Sequence, residues 1–455
     1  MKKYIFMLLA VLSLSSCGVY QKYERRELWF VDSLYRRLDV PTDTFTTGSV
    51  SWERMFTDPI LQEWINLGIK YNSDLKVAQT KVKEAEAALL SARWALLPGA
   101  NFTASGGVPA NFSAKADVSW DADILGSLRN GKRKAAAAME QSKAYEQAVQ
   151  TQLIASIANS YYSLMMFDEQ LAISERTLKT WDENIRTLEA LKRAGKTNEA
   201  AVLQAKASKL NVEASMLTLE KERLAMENSF CALIGIVPMS IERGVLKDQE
   251  FPEELSVGVP VQLMSNRPDV RQAELALEQA FYNTNIARAA FYPRLVLSGA
   301  LGWTTGSGQI TLDPGAIIAN AIGSLTQPIF GKGVNKARLQ TAQAQLEAAG
   351  YNFRQSLLDA GVEVNNAISM WQTAKKRVEL DQKQVLNLQA AVWNTQLLMK
   401  YGNANYLEVL SAQKNLLNAE LSEISDRFDE IRSVINLYHA LGGGYETSKE
   451  DMNNE

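Results

Sequence analysis

The sequence predicts a mostly α fold with a small β component, built twice within one chain. Three observations predict it. First, Ala92-Arg93-Trp94-Ala95-Leu96-Leu97-Pro98 returns as Ala287-Arg288-Ala289-Ala290-Phe291-Tyr292-Pro293, about 195 residues further on. Asp123-Ile124-Leu125-Gly126 likewise lines up with Pro328-Ile329-Phe330-Gly331, and Leu233-Ile234-Gly235 with Ala440-Leu441-Gly442. The offset grows along the chain, so the second copy carries a short insertion. Second, each copy holds a long run dominated by Ala, Glu, Gln, Lys and Leu, all strong helix formers. Third, just before each run the hydrophobic period changes from about 3.6 to about 2. An array of like units suits a wall or a tube better than an enzyme cleft.

The first residues read as an export signal. Lys2 and Lys3 precede an apolar run from Ile5 to Leu14, too short for a spanning helix, and Leu14-Ser15-Ser16-Cys17 follows. This resembles the bacterial lipobox, whose Cys becomes the lipidated first residue of the mature protein; an ordinary signal with an incidental Cys17 is the alternative. Gly18 stands where Asp would imply retention at the inner membrane, so the resemblance implies the outer one. Acyl chains contribute about 0.8 kcal/mol per buried methylene, which makes several of them a firm anchor. The expected boundaries are a signal peptide at 1–16, a lipidated tether at 17–51, a first repeat at 52–250, a second at 251–445 and a tail at 446–455.

A helix is expected to start at Asp58-Pro59, an N-cap followed by proline in the first turn, and to break near Asn72-Ser73. From about 99 to 124 the chain alternates. Ala100, Phe102 and Ala104, then Ala114, Ala116, Val118 and Trp120, take turns with Asn101, Thr103, Lys115, Asp117 and Ser119. This is a β-hairpin with one apolar and one polar face, its turn at Gly106-Gly107-Val108-Pro109. Strands of about ten residues are the length a tilted membrane strand needs. A small soluble sheet packed on helices is the other reading, and it requires the apolar face to be covered. Lys132 to Ala194 contains no Gly or Pro, a rod of roughly 90 Å at 1.5 Å per residue. Gly195 breaks it, and a return helix runs from about Asn198 to Gly235.

The second copy repeats the plan. Its hairpin lies at about 294–328, with Leu295, Leu297, Leu301 and Trp303 on the apolar face and the tip at Thr304 to Gly308; its return strand alternates poorly. A second rod spans about Asn335 to Lys400, turns at Tyr401 to Asn405 and returns to Leu441. Apolar rod positions are often Ala, and many polar ones are Gln, Asn or Ser. That fits a helix wall with water on both faces rather than a dry core.

Composition excludes several classes. The net charge of −3 argues against a nucleic-acid partner, and loss of Lys2 and Lys3 makes the mature chain more acidic. His439 is the only histidine, so neither a His-based metal site nor a catalytic triad can be assembled, and the protein is not expected to be an enzyme. No cofactor is expected apart from covalent lipid on Cys17. Cys231 reads as a small buried hydrophobe. Ala194-Gly195-Lys196-Thr197 imitates the end of a phosphate-binding loop, but Ala190 stands where that loop needs Gly, and a helix precedes it.

Two hairpins in lipid force an oligomer. Every orphan N–H or C=O in hydrocarbon costs several kcal/mol, so an open sheet is excluded and the barrel must close. Known barrels start at about eight strands, and those are filled by side chains. One chain offers four strands, so three chains supply twelve and leave a lumen. A homotrimer is therefore expected, with Lys115 and Asp117 toward the lumen and Trp120 and Trp303 as interfacial aromatics.

Five stretches carry a family resemblance: the lipobox; Trp52 with Phe56-Thr57-Asp58-Pro59; Trp120 to Gly126; Asn266-Arg267-Pro268-Asp269-Val270-Arg271-Gln272-Ala273-Glu274; and Leu437-Tyr438-His439-Ala440-Leu441-Gly442-Gly443-Gly444-Tyr445. They resemble the TolC-like outer-membrane efflux proteins, in the lipoprotein branch serving RND-type pumps. The resemblance implies a trimeric twelve-stranded barrel on a long helical barrel in the outer membrane. It also implies docking through a periplasmic adaptor, a membrane fusion protein, to an inner-membrane RND transporter, and export of small molecules. By the same resemblance Glu408, Ser411 and Lys414 are periplasmic gate candidates, with Ser411 where many relatives carry Asp. Glu408 either faces the bore or solvates an outer helix face. The rival readings are a non-conducting coiled-coil lipoprotein and a type I protein-secretion conduit.

Overall fold

The computed structural model describes residues 23–24, 31–34, 46–107, 111–249, 251, 266–304, 317–327, 331–401 and 405–444, with 32, 107, 111–112, 303–304 and 317–321 described by backbone alone. The signal at 1–16, Cys17, most of the tether and the tail at 446–455 lie outside the described residues.

Element lengths repeat as the sequence does. The first copy runs α1 (Trp52–Met55), α2 (Pro59–Tyr71), α3 (Ser73–Trp94), β1 (Gly99–Gly107), β2 (Asn111–Ala122), α4 (Ser127–Arg193) and α5 (Glu199–Ile234). The second runs α6 (Pro268–Ala289), β3 (Arg294–Thr304), β4 (Ile317–Thr326), α7 (Val334–Lys400) and α8 (Tyr406–Ala440). The helices before the hairpins, α3 and α6, have 22 residues each, and the rods α4 and α7 have 67 each.

Local chemistry sets the boundaries. Asp58 Oδ1 accepts from the Ile60 N–H at 2.9 Å and caps α2, with Pro59 behind it. Its Oδ2 accepts from the Tyr161 hydroxyl at 2.8 Å, so one carboxylate caps a helix and holds it to α4. Burial pushes the Tyr161 hydroxyl well above its ordinary pKa, so it stays a donor. Asn72 works in both directions: Oδ1 accepts from Leu75 N at 2.8 Å and Nδ2 donates to Leu233 O at 2.7 Å. Gly195 (φ +72°) ends α4 and Gly235 (φ +88°) ends α5, both in the left-handed region that disfavours side chains.

The chain divides into two compact units, each drawing on both copies. One contains Ala78–Glu146 and Asp269–Leu357; the other contains Phe30–Val77, Gln147–Pro268 and Leu358–Glu455. In the first, the helices meet through small and polar residues. Ala137, Ala144, Ala287 and Ala342 are buried, and so are Asn130, Thr284 and Asn285. Asn285 Nδ2 donates to Asn130 Oδ1 at 3.3 Å, and Gln279 Nε2 to Gln141 Oε1 at 2.8 Å. Small residues let the helices approach, and amide pairs form between the polar side chains that the approach buries.

The second unit has an ordinary core: Leu61 and Ile65 of α2, Ile154, Ile157, Tyr161, Tyr162 and Met165 of α4, Phe230 of α5, and Ile431 and Ile435 of α8 are all buried. Cys231 is buried there too, as expected. Asp168 of α4 binds Arg223 of α5 at 3.3 Å and also Arg243, which reaches Glu227 at 2.7 Å. A described piece of the tether lies here: Asn365 of α7 donates to Leu34 O at 2.9 Å.

This unit also shows what the stretches Asn266–Glu274 and Leu437–Tyr445 do around Arg267 and Tyr438. Buried Arg267 donates to Ala440 O at 2.7 Å and pairs with Glu363 of α7 at 2.6 Å, while His439 lies 3.6 Å from the other Glu363 oxygen. Burial opposes ionisation of Glu363, but the neighbouring His439 and the Arg267 guanidinium outweigh it and hold the carboxyl down at about 2. Tyr438 Oη donates to Val50 O at 2.7 Å, and its ring meets Phe56 edge-on. Through Arg267 the start of the second copy is thus tied to its end. Gly442 (φ +84°) lies so close to Asn266 O that a Cβ would overlap it. Gly442→Ala is therefore expected to destabilise this unit by at least about 1–2 kcal/mol, from the left-handed backbone alone. A lower midpoint in thermal unfolding followed by circular dichroism checks it.

Candidate functional site: the sheet and the helix tip

The first candidate element is the sheet. It is antiparallel throughout, in the order β1-β2-β3-β4, so the two hairpins join through β2 and β3. Register decides the faces, because cross-strand partners share a face. Phe102, Ala116 and Leu301 form one row, and Trp120, Leu297 and Gly323 another. The opposite face carries Asn101–Asp117, Thr103–Lys115 and Ser119–Ser298–Ile322. On it Lys115 and Asp117 pair at 3.5 Å, and Ser105 and Ser113 share a hydrogen bond at 2.7 Å. The poor alternation of β4 has its cause here, since Ile322 falls on the polar face.

The apolar face is uncovered. Phe102 is 74% exposed, Leu301 59% and Leu325 68%. A soluble sheet packed on helices would bury these side chains, so that reading fails for the described residues. Among them β1 and β4 each pair along one side only. At the helical end of β2, Trp120 keeps an exposed ring while its indole N–H donates to Leu96 O at 3.0 Å, a wet end and a greasy end on one side chain. Trp303 sits opposite Ala114 in the register; its side chain lies outside the described residues.

Gly126 (φ +65°) turns the chain from β2 into α4. Asp123 then caps the rod, accepting from Leu128 N at 2.9 Å and Arg129 N at 2.8 Å. At the start of α4, Arg129 binds Asp123 and Lys134 donates to Asn283.

The second candidate element is the tip of the long helices. Trp181, Ile185 and Leu188 of α4, Val202, Ala205 and Val212 of α5, and Tyr406 and Leu410 of α8 form one buried cluster. Asn184 Nδ2 donates to Gln413 Oε1 at 2.8 Å, and Lys209 and Lys206 of α5 reach Asp182 and Glu189 of α4, each at 2.8 Å. On α8, Tyr406, Val409, Leu410 and Gln413 are buried, while Glu408, Ser411 and Lys414 are exposed. All three gate candidates therefore lie on one exposed stripe of α8, at the spacing of one helix face.

Glu408 has a local role that reading by resemblance missed. Asn405 caps α8, its Oδ1 accepting from Leu407 N at 3.3 Å, and Glu408 Oε1 accepts from Asn405 N at 3.4 Å in return. This is a capping box, and its signal, a polar cap followed three residues later by Glu, stands in the sequence.

The family model described as outer membrane efflux protein matches residues 64–236 and 259–443. The chain belongs to the outer membrane efflux protein family. It is 27% identical over 407 residues to the probable outer membrane lipoprotein SilC of Salmonella typhimurium, covering 87% of this chain and 88% of that one. It is 27% identical over 417 residues to the toluene efflux pump outer membrane protein TtgC of Pseudomonas putida, covering 87% and 85%. The open state of the MtrE outer membrane channel of Neisseria gonorrhoeae superposes with a TM-score of 0.85 at 25% identity, covering 94% of this chain and 98% of that one. The TolC-like fold expected from the motifs is the fold of this efflux protein.

In this efflux protein the N-terminal turn of α8 depends on the reciprocal pair of Asn405 and Glu408. Asn405→Ala removes one side of it, typically worth about 1 kcal/mol. Amide hydrogen exchange over 406–409 is expected to speed up several-fold while the body of α8 is unchanged.

Proposed function

We propose that this outer membrane efflux protein is a passive conduit: a homotrimer, lipid-anchored through Cys17, that gives exported small molecules a path across the outer membrane. Its four-stranded sheets join into one twelve-stranded barrel, and its long helices extend into the periplasm. A periplasmic adaptor and an inner-membrane RND transporter complete the assembly and supply the energy. The names of the relatives support the efflux class, among them a toluene pump component and an outer membrane lipoprotein.

The observation that carries this reading is the sheet, whose apolar face lies bare and whose two edges are unpaired among the described residues. Hydrocarbon suits the bare face, and the edges then have to pair with other copies. The helices give independent support for self-association. On α5, Leu203, Leu210, Leu217 and Leu224 recur every seventh residue, and all are between 57% and 67% exposed. A strict heptad of exposed leucines is a coiled-coil seam awaiting a neighbour. Trp120, with a bonded indole N–H and a bare ring, suits the membrane–water boundary.

Full-length protein purified in detergent is expected to have the mass of a trimer by light scattering and to conduct in a planar bilayer. A stable, non-conducting monomer overturns the proposal. Within the same assay Leu301→Arg puts a charge on the face toward lipid, at a cost of about 2–4 kcal/mol near the midplane. Its yield of inserted trimer should drop, while that of Ser298→Arg on the opposite face should hold.

The stripe of Glu408, Ser411 and Lys414 is the gate candidate, with Glu408 toward the bore as one of three symmetry-related carboxylates. Glu408→Gln removes the charge and keeps an acceptor for the capping box. Reversal-potential measurements in a salt gradient are expected to show weaker cation preference; unchanged selectivity removes Glu408 from the gate.

A further inference from the structure

Asp426 is an unusual residue for the middle of a long helix. It lies on α8 with only 3% of its surface exposed. Arg377 of α7 binds its Oδ1 at 2.8 Å. Its Oδ2 is buried and receives no donor among the described residues, and the same holds for Oδ2 of Asp381, one turn along α7 from Arg377. The two aspartates lie within hydrogen-bonding reach of each other. Two carboxylates cannot satisfy one another, because both only accept; adding one proton gives the pair a donor and turns the contact into a hydrogen bond. The charges agree. With Arg377 the doubly ionised pair carries a net −1 in a buried place, and the singly protonated pair carries none.

Among the described residues the surroundings offer no other counter-charge. From α4, Gln170 donates to Ser425, the neighbour of Asp426, and Ser174 is bonded back to Gln170 O. On α8, Arg427 is turned to Glu430 and Gln249 O, and Asp429 is held by Arg432. Glu423 is under the influence of Lys247, Glu420 and Glu169. The charged groups acting on Asp426 are Asp381 and Arg377, both from α7.

We propose that Asp381 and Asp426 form a proton-binding site that fastens α7 to α8 when it holds one proton and slackens the pair when it holds none. Asp381, Asp426 and Arg377 all belong to one chain. The site lies on the same two helices whose turn precedes the stripe of Glu408, Ser411 and Lys414, so proton uptake acts on the hairpin that carries that stripe. Burial, with the Asp381 contact, pushes Asp426 up to about 6 from the 3.8 of a free aspartate, while Arg377 pulls the other way. A carboxyl raised in the folded state adds stability that is full below about 3.8 and is lost as pH rises through about 6.

The test measures the α7–α8 distance directly. Spin labels are placed on the exposed positions Lys383→Cys and Ser422→Cys in full-length protein with Cys231→Ser, diluted with unlabelled chains, and distances are read by pulsed electron resonance at pH 5 and pH 7.5. The expected result is a narrow distribution at pH 5 and a longer, broader one at pH 7.5. Asp426→Asn supplies a permanent donor and should give the narrow distribution at both pH values; Asp381→Asn, made in case the first variant fails to fold, should do the same. Distributions that are identical at the two pH values in the parent protein overturn the proposal. So does a narrow distribution restored at pH 7.5 by millimolar calcium, which would make the site one for a metal ion rather than a proton.

Discussion

Backbone hydrogen bonding is the constraint on which the rest depends. A four-stranded antiparallel sheet has two outer rows of N–H and C=O groups, and in water these rows are harmless. Here one face of the sheet is lined by Phe102, Val118, Leu301 and Leu325, all exposed. That face belongs in hydrocarbon, and in hydrocarbon open rows are intolerable. The sheet cannot shed its apolar face, because period-two alternation fixes which side chains share it. It cannot close alone either, because four strands are half the smallest known barrel. In the proposed trimer, pairing with other copies satisfies those polar groups.

The helical part answers a different demand. The helices pack differently in the two units. In the unit that holds the sheet, alanines bring helices close while amides pair in the spaces between, as Asn285 does with Asn130 and Gln279 with Gln141. In the other unit a conventional core of Leu, Ile, Phe and Tyr gathers around α2, α4, α5 and α8. Near it lie charge clusters made of residues far apart in sequence: Asp168 with Arg223, Arg243 and Glu227, and Arg267 with Glu363 and His439. Each leaves its buried charges accompanied. The Asp381–Asp426 contact is different, since two acids meet over one arginine.

Much of the fold was legible locally. Asp58-Pro59 announced a helix start and Asn72-Ser73 a break; Gly195 and Gly235 marked helix ends, and all four fall where the structure has them. The first hairpin was legible because every residue from Ala114 to Trp120 obeys the alternation. The return strand of the second was harder, because Ile322 sits on the polar face and breaks the pattern that would have revealed it. At the tip, the exposed stripe of Glu408, Ser411 and Lys414 follows from spacing on one helix. The capping role of Glu408 was also present in the sequence, as Asn405 followed by Glu three residues later.

The sequence by itself determined the duplication, the element types and their ends, because periodicity, caps and glycine turns are short-range properties that neighbouring residues encode. Tertiary structure alone decided which distant groups meet. It brought Arg267 to the carbonyl of Ala440, left the apolar sheet face bare, and set Asp381 against Asp426. Such contacts depend on how helices from different parts of the chain pack side by side, and no local pattern of residues records that.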